Sequence, residues 1–552
     1  MIDRALADIE HHQVVVRIWA KDYTVWKGEP TEIADRLGWL DSPKKMMGTL
    51  GEIDALVEAV RADGYTHALL LGMGGSSLAP EVFRKTFGVK AGYLDLEVLD
   101  STIPGAVLAY AERFDVHRTL FIVSTKSGGT VETFSFMKYF YNRVAEALGA
   151  DQAGRHFIAI TDPESRLAHL AGRYQFRKAF LNDPHIGGRY SALSYFGLVP
   201  AALIGMDVVT FLNRAIAMAE RESASGAKDA NTLTGAFLGT ALGELARAGR
   251  DKATFVFSPP IASFGDWVEQ LIAESTGKEG KGIVPIVGEP LGSPDVYGDD
   301  RVFVFLSLEG DDVDTERILS FEKAGHPVFR IQIRDPYDLG GQCFLWEMAT
   351  AVAGQRLKIN PFDQPDVEAA KILSRKILAQ SMEQGDIPAE VPDLFDDDIA
   401  VYGDTQARSP SEAMTTFIRQ AKPGAYVALQ AYIQPTAETD AALRSLRTRL
   451  RDTFRLATMA GYGPRFLHST GQLHKGDGGK GLFVQITDDD LWDAPIPDEM
   501  GLRDSSITFE ALKNAQASGD RQALINAGRS VIRFHLGTDV AGGLKKLTDA
   551  LR

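Results

Sequence analysis

Cysteine is nearly missing: Cys343 stands alone in 552 residues, so neither an intrachain disulfide nor a cysteine-built metal cluster is available. Long apolar runs are missing too. The longest, such as Leu198 to Met206, fall far short of the ~18 residues that a membrane-spanning helix needs. Positive charge is in deficit, because 59 Lys and Arg face 74 Asp and Glu, a net charge of −15. Such a chain repels phosphate backbones and anionic membranes at long range, which sets nucleic acid and membranes aside as partners. A small phosphorylated ligand remains allowed, since a local positive pocket holds it. The opening MIDRALADIEHHQ lacks the basic-then-apolar build of a secretion signal, so a cytoplasmic protein is expected. Low-complexity segments and short-period repeats are lacking as well. What remains, 45% apolar and 24% charged, is ordinary globular composition, long enough for roughly three to four domains.

Apolar, β-branched runs alternate with segments of helical period. The pattern predicts strands at Ala68–Leu71, Thr119–Val123, His156–Ile160, Ala253–Phe257, Arg301–Leu306 and Val328–Ile333, with helices such as Val131–Ala147 and Glu269–Ser275 between them. Continuous apolar strands alternating with helices imply parallel sheets covered on both faces. The divisions expected are a helical arm over 1–48, α/β domains over 49–205 and 206–382, and a C-terminal α/β module over 413–552. That module is marked by strands Tyr426–Ile433 and Leu482–Ile486 around the helical stretch Asp440–Ala457. Between them, 383–412 holds nine acidic residues, one basic residue and three prolines, and reads as a linker.

Two loops carry chemistry. In HALLLGMGGSSLAPEVF, Gly72, Gly74 and Gly75 let the backbone turn tightly, and Ser76 and Ser77 open a helix whose free N–H groups favour an anion. A plain N-capped turn explains this loop equally well. A dinucleotide fingerprint competes too, with Asp100 at a suitable distance but Ser77 in place of the third glycine. The second loop, RTLFIVSTKSGGTVETF, is more specific. Ser124, Thr125, Ser127 and Thr130 supply four hydroxyls, Lys126 an ammonium and two glycines the backbone freedom, at a helix start. That is a nest for a phosphate dianion.

Two hydroxyl loops, each after a parallel strand, resemble a sugar-phosphate isomerase (SIS) domain. With NDPHIGGRYSALSYFGL (182–198), QLIAESTGKEGKG (270–282) and NPFDQPDVEAAK (360–371), the chain resembles the glucose-6-phosphate isomerases. It is most similar to the isomerase half of bacterial transaldolase–isomerase fusions, which its opening RIWAKDYTVWKGEPTEIADRLGWL also resembles. The resemblance implies an α/β fold of two SIS-type (flavodoxin-like) parallel-sheet domains plus the C-terminal module. It implies interconversion of glucose 6-phosphate and fructose 6-phosphate through an enediol, a step of glycolysis and gluconeogenesis. No cofactor and no metal are implied, the partner is a small sugar phosphate, and a homodimer is expected.

An aldose–ketose isomerase needs one carboxylate that is base and then acid, and the family motif assigns this to Glu274. Arg189 matches the arginine that stabilises the enediolate, with Gly188 beside it. Lys371 matches the lysine assisting ring opening, and Gln364 a substrate-contacting glutamine. Gly75, Ser76, Thr125, Lys126, Ser127 and Thr130 match the phosphate contacts, Thr125 standing where the family usually has serine. One departure is plain: PIVGEPLGSPDVYGDDR (285–301), where the family places its ring-opening histidine, contains none. The fragment HSTGQLHKG, far later, resembles that segment, making His468 the expected proton donor and His474 the second choice. A metal site of His468, His474 and Asp477 would serve no purpose in an enediol route. Three alternatives stay open at this level, the first two being a dual phosphoglucose/phosphomannose isomerase and a non-catalytic SIS-type sugar-phosphate sensor. An NAD-dependent enzyme is the third.

Overall fold

The computed structural model describes residues 1–225, 234–311, 315–384 and 390–551. The first sheet contains β1 (His67–Gly72), β2 (Asp95–Leu99), β3 (Thr119–Ser124), β4 (Phe157–Thr161) and β5 (Lys178–Leu181), all parallel, in the order β2-β1-β3-β4-β5. The second contains β6 (Lys252–Phe257), β7 (Val284–Ile286), β8 (Arg301–Leu308) and β9 (Val328–Ile333), parallel in the order β7-β6-β8-β9. Every residue of β3 is buried, as continuous apolar strands demand when helices cover both faces.

The C-terminal module repeats the arrangement. With β10 (Leu394–Asp396), β11 (Ile399–Tyr402), β12 (Tyr426–Tyr432), β13 (Ala457–Tyr462), β14 (Gly481–Thr487), β15 (Pro495–Ile496), β16 (Ile507–Thr508) and β17 (Ser530–His535), its six-stranded sheet runs β10-β11-β17-β14-β12-β13. The parallel part, β13-β12-β14-β17, has the same order of first four strands as each of the other two sheets. β15 and β16 form a separate two-stranded ribbon.

The strands expected from sequence are present, each within two residues of its predicted ends; His156 belongs to a single turn before β4. The acidic segment 383–412 is not a linker over its described length. β10 and β11 form a hairpin that pairs antiparallel with β17 and buries Ile399 and Val401. Asp397 and Asp398, both at positive φ, make its turn, so part of the acidic cluster is turn chemistry. Ser409 then caps the helix Pro410–Ile418. Residues 385–389 of that segment lie outside the described residues.

The N-terminal arm is fixed by its tryptophans. The Trp26 indole donates to the Ala351 carbonyl at 2.8 Å and packs edge-on to Phe362, while Trp39, fully buried, lies against Tyr190 and Phe344. The arm therefore braces the two segments, 182–198 and 360–371, that sequence singled out. A buried polar network joins the second and third modules. Arg301 on β8 pairs with Glu289 at 3.1 Å and bonds the Leu456 carbonyl, and Glu289 accepts from the Thr458 backbone N–H and hydroxyl at 3.0 and 2.6 Å. Removing one partner of a buried pair strands the other's charge, which costs about 3–5 kcal/mol. Glu289→Ala is expected to lower stability by that amount in chemical denaturation, and a loss below ~1 kcal/mol would show that the pair is dispensable.

Candidate active site

The loop after β1 threads between two other segments, and its glycines explain how. A Cβ on Gly75 would fall 2.2 Å from the Gly188 carbonyl oxygen. One on Gly74, which has φ +53°, would fall 2.6 Å from the carbonyl oxygen of His468. Only glycine permits both approaches. The loop after β3 is fastened to it, since the Ser124 hydroxyl donates to the Ser76 carbonyl at 2.9 Å. Beyond that bond, Thr125 and Thr130 exchange a hydroxyl contact at 2.9 Å, Lys126 pairs with Asp162 and reaches the Pro184 carbonyl, and Ser127 is exposed. Thr130 begins the helix Val131–Leu148 without a side-chain cap, so its first N–H groups face the loop.

Arg189 is buried, 3% exposed. Its Nε donates to the Ser275 hydroxyl at 2.7 Å, Nη1 to Gln364 at 3.0 Å, and Nη2 to the carbonyls of Pro361 and Asp363 at 2.7 and 2.9 Å. Nη1 also lies 3.4 Å from the Glu274 carboxylate. Glu274 sits in the last turn of the helix Phe264–Thr276, and its other oxygen accepts from Gln270 one turn earlier at 3.0 Å. The same Gln270 amide donates to the backbone carbonyl of His468 at 2.8 Å. A single amide thus ties the carboxylate of one module to the histidine of another.

His468, in the turn Arg465–His468 after β13, places Nε2 2.9 Å from Glu132 on the Val131–Leu148 helix. Glu132 also accepts from Gln516 at 2.7 Å, and Gln516 in turn accepts from Thr102. Burial alone would raise the Glu132 carboxyl, but the charge and hydrogen bond of His468 outweigh it and hold the group below its ordinary value. Lys371 contributes to the same field while lying half-exposed on the rim, bonded to Glu368 at 2.9 Å. Behind Arg189, Lys278 bonds Asp363, and burial together with the nearby guanidinium brings its ammonium down to about 8.

The structure therefore gathers Gly75, Ser76, Gly188, Arg189, Glu274, Gln364 and His468, with Thr125, Lys126, Ser127 and Thr130 beside them on the loop after β3 and Lys371 at the edge. His474 lies elsewhere. It is buried against Phe466 and Phe483 with Gln430 at 3.3 Å, and burial pushes its imidazole well below the ordinary value. Asp477 is held by Tyr426 and Arg529, and no group of three metal-ligating side chains occurs among the described residues. Sequence reading missed Gln270, Glu132, Gln516 and Lys278. Gln270 could have been found from its four-residue spacing to Glu274, and Glu132 from standing two residues after Thr130. Gln516 left no signal.

The family model for phosphoglucose isomerase matches residues 47–285. Among curated relatives, the glucose-6-phosphate isomerase of Rubrobacter xylanophilus is 28% identical over 366 residues, covering 57% of this chain and 83% of that protein. That of Thermus thermophilus is 28% identical over 405 residues, covering 64% and 92%. Among solved structures, a hypothetical protein from Thermus thermophilus superposes with a TM-score of 0.57 at 26% identity, covering 68% of this chain and 97% of its own. A glucose-6-phosphate isomerase from Chlamydia trachomatis shares the fold at the same TM-score, 0.57, with 16% identity, covering 69% and 86%.

Proposed function

We propose that this chain, a member of the phosphoglucose isomerase family through residues 47–285, interconverts glucose 6-phosphate and fructose 6-phosphate through a cis-enediol. The observation that carries the mechanism is the meeting of a carboxylate, a buried guanidinium and a carboxylate-bonded imidazole beside a hydroxyl loop. The phosphate occupies the Ser124–Thr130 loop and Ser76, where hydroxyls, helix N–H groups and Lys126 balance its charge. Remote binding of this kind holds the reacting carbons in place, so its energy appears in the transition state.

Ring opening begins the cycle. His468 delivers a proton to the ring oxygen as the C1 hydroxyl gives one up to solvent, from which the imidazole is reprotonated. Glu132 orients the imidazole, and Lys371 supports this step from the rim. Glu274 then takes the proton from C2, and electrons move into the C1–C2 bond to form the enediolate. Arg189, already facing the carboxylate, meets the oxyanion with a charge it cannot lose. Glu274 returns the proton to C1 as the proton on the C2 hydroxyl passes to the C1 oxygen, and the ketose results. A sugar-phosphate sensor would need only the hydroxyl loops. The convergence of Glu274, Arg189 and His468 on them favours catalysis. The reading extends to a cytoplasmic homodimer, with which the single buried thiol of Cys343 is consistent.

Glu274→Gln is expected to keep sugar-phosphate binding and lose ~10²–10⁴ in kcat in a coupled assay of glucose 6-phosphate formation. A rate within tenfold of the parent would put the base elsewhere. His468→Ala should slow turnover of the cyclic substrate far more than proton exchange on an open-chain analogue. Equal losses on both would indicate a packing defect, and no loss on either would remove His468 from the mechanism.

A further inference from the structure

A second cationic site lies on the other side of the loops that carry Glu274 and His468. Where the second and third modules meet, a cavity of about 380 Å³ opens between the end of the helix Gly235–Arg247, the turn Gly280–Gly282, Lys358 and the loop Asp477–Lys480. On a chain of net charge −15, its lining holds six basic side chains and two acidic ones, Asp251 and Asp477. Three of the six are already answered, Arg247 and Arg356 by Glu244, Arg356 also by Asp8, and Lys252 by Asp251 and Asp300, which leaves Lys281, Lys358 and Lys480. Both acids are committed: Asp251 to Lys252 at 2.5 Å, and Asp477 to the Tyr426 hydroxyl, the Gly479 N–H and Arg529 at 3.0, 2.9 and 3.2 Å. The ammonium groups of Lys281 and Lys358, by contrast, have no ion-pair or hydrogen-bond partner among the described residues. Lys480 touches Asp251 only at 3.5 Å and is 43% exposed.

We infer that this cleft binds a small polyanion bearing at least two phosphate charges. Ammonium groups left without a counter-charge around one cleft favour an anion there, and phosphate is an anion that several Lys donors suit. A volume of 380 Å³ is within the range of small-ligand sites. The occupant carries no nucleobase: the one aromatic in the lining, Tyr426, is fully buried with its hydroxyl turned to Asp477, so no ring face is offered for stacking.

Its position links it to the catalytic residues. Lys281 follows Glu274 by seven residues and Lys480 follows His468 by twelve. The two segments are joined at the cleft, where the Gly280 N–H donates to the Gly476 carbonyl at 3.0 Å. An anion spanning Lys281 and Lys480 therefore grips the far ends of both catalytic segments at once.

Isothermal calorimetry with inorganic pyrophosphate tests this on the full chain in a Lys126→Ala/Thr130→Val background, which disables the substrate phosphate loop. One site should remain, and adding Lys281→Gln/Lys358→Gln should weaken it at least tenfold while a Lys281→Gln/Lys358→Gln variant of the parent keeps its isomerase activity. Fructose 1,6-bisphosphate should compete better than ADP. Absence of binding in the loop-disabled background would overturn the inference. So would unchanged affinity in the quadruple variant, and ADP binding more tightly than the bisphosphate would overturn the choice of a base-free ligand.

Discussion

A guanidinium that cannot lose its proton lies sealed in the interior at Arg189, and its five N–H donors must all be answered. The chain meets this demand with groups from distant segments: Ser275 beside Glu274, Gln364 and the carbonyls of Pro361 and Asp363, and the Glu274 carboxylate itself. Each of those segments is thereby held in register with the others. Burying an isolated charge would be prohibitive. The need to satisfy it therefore shapes the site even before a substrate contributes its own oxygens. Trp26 and Trp39 then press the arm over this cluster, and that packing explains why the arm is rich in large aromatics.

The three sheets share one strand order, but the modules do different work. The first presents the two hydroxyl loops and Glu132. The second supplies Glu274 and Gln270 from one helix. The third keeps the topology without the hydroxyl loop: after β14, where the first module has Thr125 to Thr130, it has Asp488, Asp489 and Asp490. Two of those carboxylates are spent on the buried Lys513 at 3.1 and 2.5 Å. Its contribution is made at another edge, after β13, where the turn Arg465–His468 is pinned by Arg465 to Asp100 at 3.1 Å and to Asp266 at 3.6 Å. Those two acids belong to the first and second modules, so the histidine's turn is fastened to both.

How much of this was legible in the chain depends on how local the physics is. Strands such as β3 and β8 are buried on both faces and announce themselves as unbroken apolar runs. β2 escaped because Glu97 interrupts it; that carboxylate is buried only because Arg84 and Arg113 reach it at 3.2 and 2.9 Å. The hydroxyl loops, Glu274 and Arg189 were legible because their chemistry demands those residue types side by side. The hairpin β10–β11 was not. Its acidic turn dominates the composition, whereas its pairing partner β17 lies about 130 residues away. Likewise HSTGQ marked His468, but only the fold brings it to Glu132, 336 positions earlier, or Gln516 to that same carboxylate across 384.

Proton transfer between C2 and C1 by Glu274, through an enediol formed against Arg189, is the step on which the proposed function stands. Glucose 6-phosphate labelled with deuterium at C2, turned over in ordinary water and followed by NMR at C1 of the fructose 6-phosphate formed, tests it most directly. Some product molecules are expected to carry the label at C1 and the rest to have lost it to water. The proton rests on a carboxyl group that is 14% exposed and exchanges before every return is complete. Full retention of deuterium at C1 in every product molecule would mean a direct hydride shift, and would contradict the account.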